Sequence, residues 1–350
     1  MAIKNSHRII VTGGAGFIGC NVVTHFAKKG WEVSIVDNLS REGTNYNLEW
    51  LRNRVKFNFY QYDMQDAGKV LSVVREVKPD AVIHLAGQVA VTTSVAEPRA
   101  DFESNAFGTF NLLEAIRQVV PDATAIYSST NKVYGLLHAV PWIEKDRRYA
   151  FENHPFGISE EQPLDFHSPY GCSKGSADQY FLDYARIYGL KTIVFRQSCI
   201  YGHRQLGIED QGWVAWFIIA HVLNKGVTVY GNGKQVRDLL FIEDLVDAFE
   251  LALEKARDVA GQTFNIGGGA ANTVSLVEFI EFLEKLSGRP MPVNYSDWRP
   301  GDQPIYISDI RKAGDLLGWR PKISVNNGLA KLYNWVMNNR SMFADIHRIK

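Results

Sequence analysis

The chain has 350 residues, 46% of them hydrophobic and 22% charged, which is the usage of a globular protein with one large or two unequal α/β domains and excludes a disordered chain or a stapled mini-protein. Lys plus Arg equals Asp plus Glu at 38 each, so the footprint of a nucleic-acid binder is missing, and the longest apolar run, Trp213 to Ala220, is far short of the roughly 20 residues that span a bilayer. Three cysteines without CxxC spacing suggest neither a disulfide framework nor a zinc site, so no metal is expected.

The first ten residues lead straight into a strand and leave no room for a signal peptide, from which a cytoplasmic protein is expected. Short β-branched runs at 8–11, 32–36, 56–61, 81–85, 123–127 and 191–195 alternate with segments of helical period. That alternation is the mark of βαβ units, and the continuous apolar character of the strands predicts a doubly wound parallel Rossmann sheet covered on both faces. Helices are expected at 100–119 and 170–188, and both carry more apolar residues than one face against a sheet requires, as a homodimer packing this pair against its copy would need, the favoured reading, or as a helix buried within one subunit would show. After residue 196 the alternation weakens into a helix at 212–224, a strand at 227–230, a helix at 242–255 and a strand at 263–266. The reading is therefore a dinucleotide-binding domain over 1–196 and a smaller mixed α/β substrate lobe over 197–350, with some later segments returning to the sheet.

The first strand runs into Thr12-Gly13-Gly14-Ala15-Gly16-Phe17-Ile18-Gly19 and then an amphipathic stretch. Glycines at this turn allow a pyrophosphate to approach the backbone and the helix to lie close on the strand, while the helix N-terminus faces the anion. Asp37 ends the second strand 18 residues after Gly19, where a carboxylate holds both ribose hydroxyls of an adenosine and repels a 2′-phosphate, so NAD is favoured over NADP. Asp63 follows the third strand, either as an adenine contact or as a turn cap. The fourth strand ends in His84-Leu85-Ala86-Gly87-Gln88, whose small residues suit backbone beside a flat cofactor, with His84 read as a core histidine.

Tyr170 and Lys174 stand four apart on one helical face. A tyrosine needs a nearby cation to act as a base near neutral pH, and Lys174 is expected to supply it. The fifth strand delivers Ser128-Ser129-Thr130-Asn131-Lys132-Val133-Tyr134-Gly135 at the carboxyl edge of the sheet, and Thr130 is the candidate hydroxyl for the reacting alcohol.

The glycine segment, the SSTNKVYG segment and the Tyr170/Lys174 pair resemble the extended short-chain dehydrogenase/reductase family of nucleotide-sugar enzymes over nearly the whole chain. The resemblance implies a Thr130, Tyr170, Lys174 triad and a tightly held NAD. It places the cofactor on Gly13, Gly16, Phe17, Ile18, Gly19, Asp37, Asn38, Asp63, Met64, Leu85, Ala86, Gly87, Gln88, Tyr170 and Lys174. A nucleoside diphosphate sugar is then expected on Gln88, Thr130, Asn131, Gln197, Ser198, Tyr230, Arg237 and Arg299, with Tyr230-Gly231-Asn232-Gly233 toward the base and the arginines, including the one in Arg299-Pro300-Gly301-Asp302, on the pyrophosphate.

Sugar dehydratases of this family carry Asp-Glu after the catalytic Thr, whereas this chain has Asn131-Lys132, which leaves elimination without its proton handlers and favours a redox-only epimerase. The segments Val36 to Gly43, Thr130 to Gly135, Arg196 to Gly202 and Glu209 to Trp213 are similar to the branch that inverts C2 of CDP-hexoses, the CDP-paratose or CDP-tyvelose epimerases. Many 4-epimerases place Asn where Cys199 stands here, and Cys199 itself is read as inert packing. The alternatives are a UDP-hexose 4-epimerase and a non-enzymatic NAD-binding scaffold.

Overall fold

The computed structural model describes residues 6–299 and 302–346. Seven strands form the central sheet: β1 (Arg8–Thr12), β2 (Glu32–Val36), β3 (Asn58–Tyr60), β4 (Ala81–His84), β5 (Thr124–Thr130), β6 (Lys191–Gln197) and β7 (Thr263–Ile266). Their order is β7-β6-β5-β4-β1-β2-β3. The pairs β1–β2, β1–β4, β2–β3 and β4–β5 are parallel. Ile9, Ile10 and Val11 of β1 and Val82 and Ile83 of β4 are at most 1% exposed, so side chains on both faces of these strands are covered, as the apolar runs required. The strand order reverses between β1 and β4, and the carboxyl ends of these two strands form the switch point at which such sheets take ligands.

Helices leave the sheet at signals written in the sequence. Asp66 caps the helix Ala67–Val77 by accepting from the Lys69 N–H at 3.0 Å, and Ser275 with Glu278 forms a capping box at the head of Leu276–Ser287. The helix expected at 100–119 is divided into a short helix Pro98–Phe102, a π-helical turn Glu103–Phe107 and the helix Gly108–Val119. A wide turn of this kind inserts a residue into the helical ladder and breaks the 3.6 period, which is why hydrophobic spacing did not reveal it. The strand expected at 56–61 shortens to β3, and the helix expected from 170 begins at Ser168.

The chain divides into two compact units, Met1–Val133 with Ser168–Arg196 and Val246–Phe264, and Tyr134–His167 with Gln197–Leu245 and Asn265–Lys350. Residues 134–167, read from sequence as part of the first domain, belong to the second unit, so the border at 196 is corrected there. Their hairpin, Trp142–Glu144 against Tyr149–Phe151, puts Tyr149 into a small core with Val236 and Ile305. Such short strands carry too few residues for a period to show. Within the second unit Val236–Phe241 is the central strand, antiparallel to Thr273–Ser275 and parallel to Ile305–Tyr306 and Cys199–Tyr201. A separate parallel pair joins Val227–Tyr230 to Val293–Ser296. Among the described residues no helix is long and apolar enough to cross a membrane, and no cluster of potential metal ligands occurs.

Candidate active site

The turn after β1 is built on backbone that other residues would not permit. Gly13 has φ +66°, and a Cβ on it would sit 2.8 Å from the Ala86 nitrogen, while one on Gly19 would meet the Gly13 carbonyl oxygen at 2.2 Å. Both glycines therefore let the turn close against β4 and the helix close against the turn. Gly16 precedes the helix Phe17–Lys28, whose first turn has no side-chain cap, so Phe17, Ile18 and Gly19 stand at an N-terminus open to an anion.

Asp37 is 8% exposed at the end of β2, and its carboxylate accepts from the Ala15 N–H at 3.0 Å and the Leu39 N–H at 2.8 Å. Burial pushes its pKa up, and these two backbone bonds oppose the shift. Asn38 donates to Asp63 at 2.7 Å, and Asp63 also accepts from the Gln65 N–H at 2.9 Å. Asp63 thus caps its own turn while holding Asn38, and the buried Met64 beside it gives its carbonyl to Asn111 at 3.0 Å.

At the end of β4 the structure separates packing from presentation. His84 is fully buried, bridges the hydroxyls of Thr12 (2.6 Å) and Thr109 (2.9 Å), and is pushed down to a pKa of about 3 by burial, with Lys174 adding to the shift. It is a neutral core histidine, as its place in the strand suggested. Leu85 and Ala86 give their N–H groups to the Thr12 hydroxyl at 3.1 and 3.2 Å, which pins this segment beside the glycine turn. Gln88 closes a local ring on Ala90, donating to its carbonyl and accepting from its N–H, so its amide is turned to its own loop.

Thr130, Tyr170 and Lys174 are 7%, 7% and 5% exposed and come together where β5 meets the helix Ser168–Tyr188. Tyr170 is hydrogen-bonded to Thr130, yet burial dominates and pushes the phenol up to about 12. Lys174 points elsewhere. Its Nζ donates to the Ser128 carbonyl at 2.6 Å and lies 4.3 Å from the Tyr127 ring centre, and burial pushes it down to about 7 against the pull of Asp178 and Asp101. With the lysine held on a carbonyl and a ring face, burial of the phenol is the larger influence on Tyr170 in this arrangement. Asn131 follows at 3.5 Å from the Thr130 hydroxyl.

Beneath this group lies a dry polar network. Asp178, fully buried, takes the Ser129 hydroxyl at 2.7 Å and two Arg196 donors at 2.9 Å each. Asn105, in the π turn, gives its amide nitrogen to Asp101 and Ser173, while its buried Oδ1 has no partner and lies where a Cβ on Gly87 would approach to 2.5 Å. Asn105 was missed from sequence. Its signal was an Asn and a Gly, Asn105 and Gly108, inside a predicted helix, two residues that weaken a helix unless something uses them.

The remaining expected residues lie in the second unit. Ser198 gives its hydroxyl to the buried Asp238, whose other oxygen accepts from the Gly269 and Ser308 N–H groups at 3.1 and 3.2 Å. Ser198 is thereby committed to a structural carboxylate. Gln197 is 6% exposed and its amide nitrogen has no partner. Arg237 pairs with Asp302 at 2.7 Å, and Arg299 pairs with Asp210 at 3.1 Å while its guanidinium lies 3.9 Å from the Tyr230 ring centre. Tyr230 in turn donates to Glu209 at 3.3 Å. Pro300 and Gly301 lie outside the described residues. Cys199 accepts from the Trp213 indole at 3.1 Å, a packing role.

The profile of the GDP-mannose 4,6 dehydratase family matches residues 10–332. A CDP-paratose 2-epimerase of Salmonella typhi is 45% identical over 333 residues, covering 94% of this chain and 98% of that protein. The UDP-glucose 4-epimerase of Thermotoga maritima, solved with UDP-glucose, is 32% identical with a TM-score of 0.82 over 95% of this chain and 99% of that one. The UDP-glucose 4-epimerase of Thermus thermophilus, solved with NAD, is 30% identical with a TM-score of 0.79 over 94% and 98%. A glycine turn locked against β4, a buried Thr–Tyr–Lys group at the end of β5 and these matches along almost the full length agree, and the chain belongs to the GDP-mannose 4,6 dehydratase family of extended short-chain dehydrogenase/reductases.

Proposed function

We propose that the protein is an NAD-dependent epimerase that inverts C2 of a CDP-hexose through a transient 2-keto sugar. The observation that carries the redox-only reading is the buried, hydrogen-bonded Thr130–Tyr170 pair with Asn131-Lys132 after the threonine, a hydroxyl and a phenol for an alcohol and no carboxylate in the two slots that water loss needs. The 45% identity to a CDP-paratose 2-epimerase supports the CDP-sugar. The residues present fit the dinucleotide: an uncapped helix end for its pyrophosphate, Asp37 with acceptor capacity left for ribose hydroxyls, and the unpartnered Asn105 Oδ1 beside Gly87 for a donor on its catalytic half.

When bound, NAD supplies a place for hydride to go from sugar C2 and from which it returns to the opposite face. The chain does the proton work. Thr130 orients the sugar hydroxyl by hydrogen bonding, and Tyr170, in the phenolate form that a bound cationic nicotinamide would favour against the burial that raises its pKa, accepts that proton and gives it back. Lys174, held on the Ser128 carbonyl, stands next to this group with a pKa of about 7, so it is able to carry or release a proton near neutral pH. Arg237, Arg299 and Tyr230 are assigned to the nucleoside diphosphate, with the arginines exchanging their aspartates for phosphate oxygens.

The protein is further proposed to act as a homodimer in a reducing, cytoplasmic setting. Phe102, Phe107, Tyr180, Ile187 and Tyr188 are 42 to 61% exposed on the segment 98–119 and the helix Ser168–Tyr188, apolar side chains suited to a second copy of the same pair. Cys20, Cys172 and Cys199 are unbridged. Sedimentation velocity tests the dimer: a shift to monomer in Ile187→Asp supports it, and a wild-type monomer overturns it.

An NMR time course with CDP- and UDP-sugars in D₂O tests the reaction. Inversion at C2 of a CDP-sugar without deuterium at carbon is the expected result. Deuterium at the inverted carbon refutes direct hydride return, and inversion at C4 of a UDP-sugar replaces this reading with that of a 4-epimerase.

A further inference from the structure

We infer that Asp101 is a positioning residue that fixes the Asn105 amide with its oxygen toward Gly87, an inference that rests on reading this unit as an NAD site. Asp101 and Asn105 are each 1% exposed, and Ser173 on the helix Ser168–Tyr188 is 3% exposed, so water does not complete their hydrogen bonds. An ionised carboxylate only accepts, and the group that Asn105 turns to it must therefore be the NH₂. Both hydrogens of that NH₂ are taken, one by Asp101 Oδ1 at 3.1 Å and one by Ser173 Oγ at 3.0 Å.

Ser173 Oγ has a lone pair for Asn105 because its own hydrogen is directed away from the amide, to the other Asp101 oxygen at 2.5 Å with the Tyr170 carbonyl at 3.2 Å as a second acceptor. One carboxylate thus orients the hydroxyl, and the two together orient the amide. The consequence is the buried Oδ1 that has no partner in the protein and lies 2.5 Å from where a Gly87 Cβ would be. Without Asp101, the Ser173 hydrogen is left to the Tyr170 carbonyl at 3.2 Å or to the amide oxygen, and the amide, with no carboxylate to hold its nitrogen, can turn that nitrogen to Gly87, presenting a donor where an acceptor stood. A buried acceptor left unmatched is costly unless a ligand donor meets it, so the arrangement is read as built for a hydroxyl or amide N–H of the bound dinucleotide. Lys174 acts in the same sense, holding down an Asp101 pKa that burial raises.

The test is a double-mutant cycle on the full chain stripped of cofactor, with NAD titrated calorimetrically and folding checked by circular dichroism. Asp101→Leu is expected to weaken NAD about tenfold, a size typical of one lost buried hydrogen bond. Asp101→Asn, whose carbonyl still accepts from Asn105, is expected to stay within about threefold of wild type, and Asp101→Leu in an Asn105→Ala background is expected to add less than about twofold. Unchanged affinity in Asp101→Leu, or the same loss in the Asn105→Ala background, overturns the inference. Should Asp101→Leu fail to fold, Ser173→Ala removes the second hook at the cost of one oxygen atom, and additivity with Asn105→Ala is then the overturning result. A wild-type chain that binds no NAD overturns this inference together with the reading of the site, whereas NAD binding with additive variants overturns the role of Asp101 alone.

Discussion

The polar groups of the first unit's site and those of the second unit's cluster are satisfied in opposite ways. Around Tyr170 and Lys174 the partners are buried side chains and backbone carbonyls that no small ligand displaces: Asp178 with Arg196 and Ser129, His84 between two threonines, Lys174 on Ser128. In the second unit Arg237 and Arg299 pair with aspartates that water reaches, Asp302 at 26% and Asp210 at 53% exposed. The first arrangement is preorganised and costs little to use at the moment of reaction, while the proposed role of the second requires its exposed ion pairs to give way to an anion.

The comparison breaks first if Tyr170 is dispensable. Tyr170→Phe keeps the ring and its packing but removes the proton acceptor, so turnover should fall about 10²- to 10⁴-fold with NAD still bound. Rates within tenfold of wild type, with NAD bound, would remove Tyr170 from the chemistry.

The exchange of partners in the second unit is tested by Arg237→Ala and Arg299→Ala. Each should weaken nucleotide-sugar binding by about 1.5 to 3 kcal/mol, seen in KM with the melting temperature unchanged. A normal KM for the CDP-sugar takes that arginine off the diphosphate.

The dryness of the first unit has a pH signature. The folded pKa of His84, about 3, lies below the ordinary 6.5. Between those values the unfolded chain binds a proton that the folded chain refuses, so stability present above pH 6.5 is lost as pH falls through that window. The loss should be about 2 kcal/mol between pH 7.5 and pH 5. Urea unfolding of wild type against His84→Gln measures it, and parallel pH profiles would show that His84 is protonated as readily in the fold as out of it.

The smallest effect sharpens the contrast. Asp210→Asn weakens the competitor for Arg299 without touching the arginine, so the nucleotide-sugar should bind about two- to threefold tighter, the scale of an exposed ion pair. Weaker binding would mean that Asp210 serves the ligand-bound arrangement rather than the free one.

Much of the first unit was legible in the residues. Apolar runs located the strands of the sheet, because a strand covered on both faces must be apolar at every position, and β2 was bounded to the residue. The glycine turn, Asp37 and the Tyr170/Lys174 spacing were local patterns, readable because the chemistry depends on residues adjacent along one element. What escaped was what depends on two distant segments meeting. The π turn at 103–107 leaves no period to read, and the Asp101 carboxylate is shared between its neighbour Asn105 and Ser173, 72 residues away. The direction of Lys174 was likewise decided by the Ser128 carbonyl rather than by its helical neighbour Tyr170. Gln88 and Ser198, expected from sequence as ligand contacts, also hold Ala90 and Asp238, partners that only the fold brings to them. Sequence determined which groups the site holds, since strand ends and helix faces follow from local pattern; tertiary structure decided their protonation and which lone pairs remain for a ligand, because desolvation and hydrogen-bond partnership belong to the packed neighbourhood of a group and not to its position in the chain.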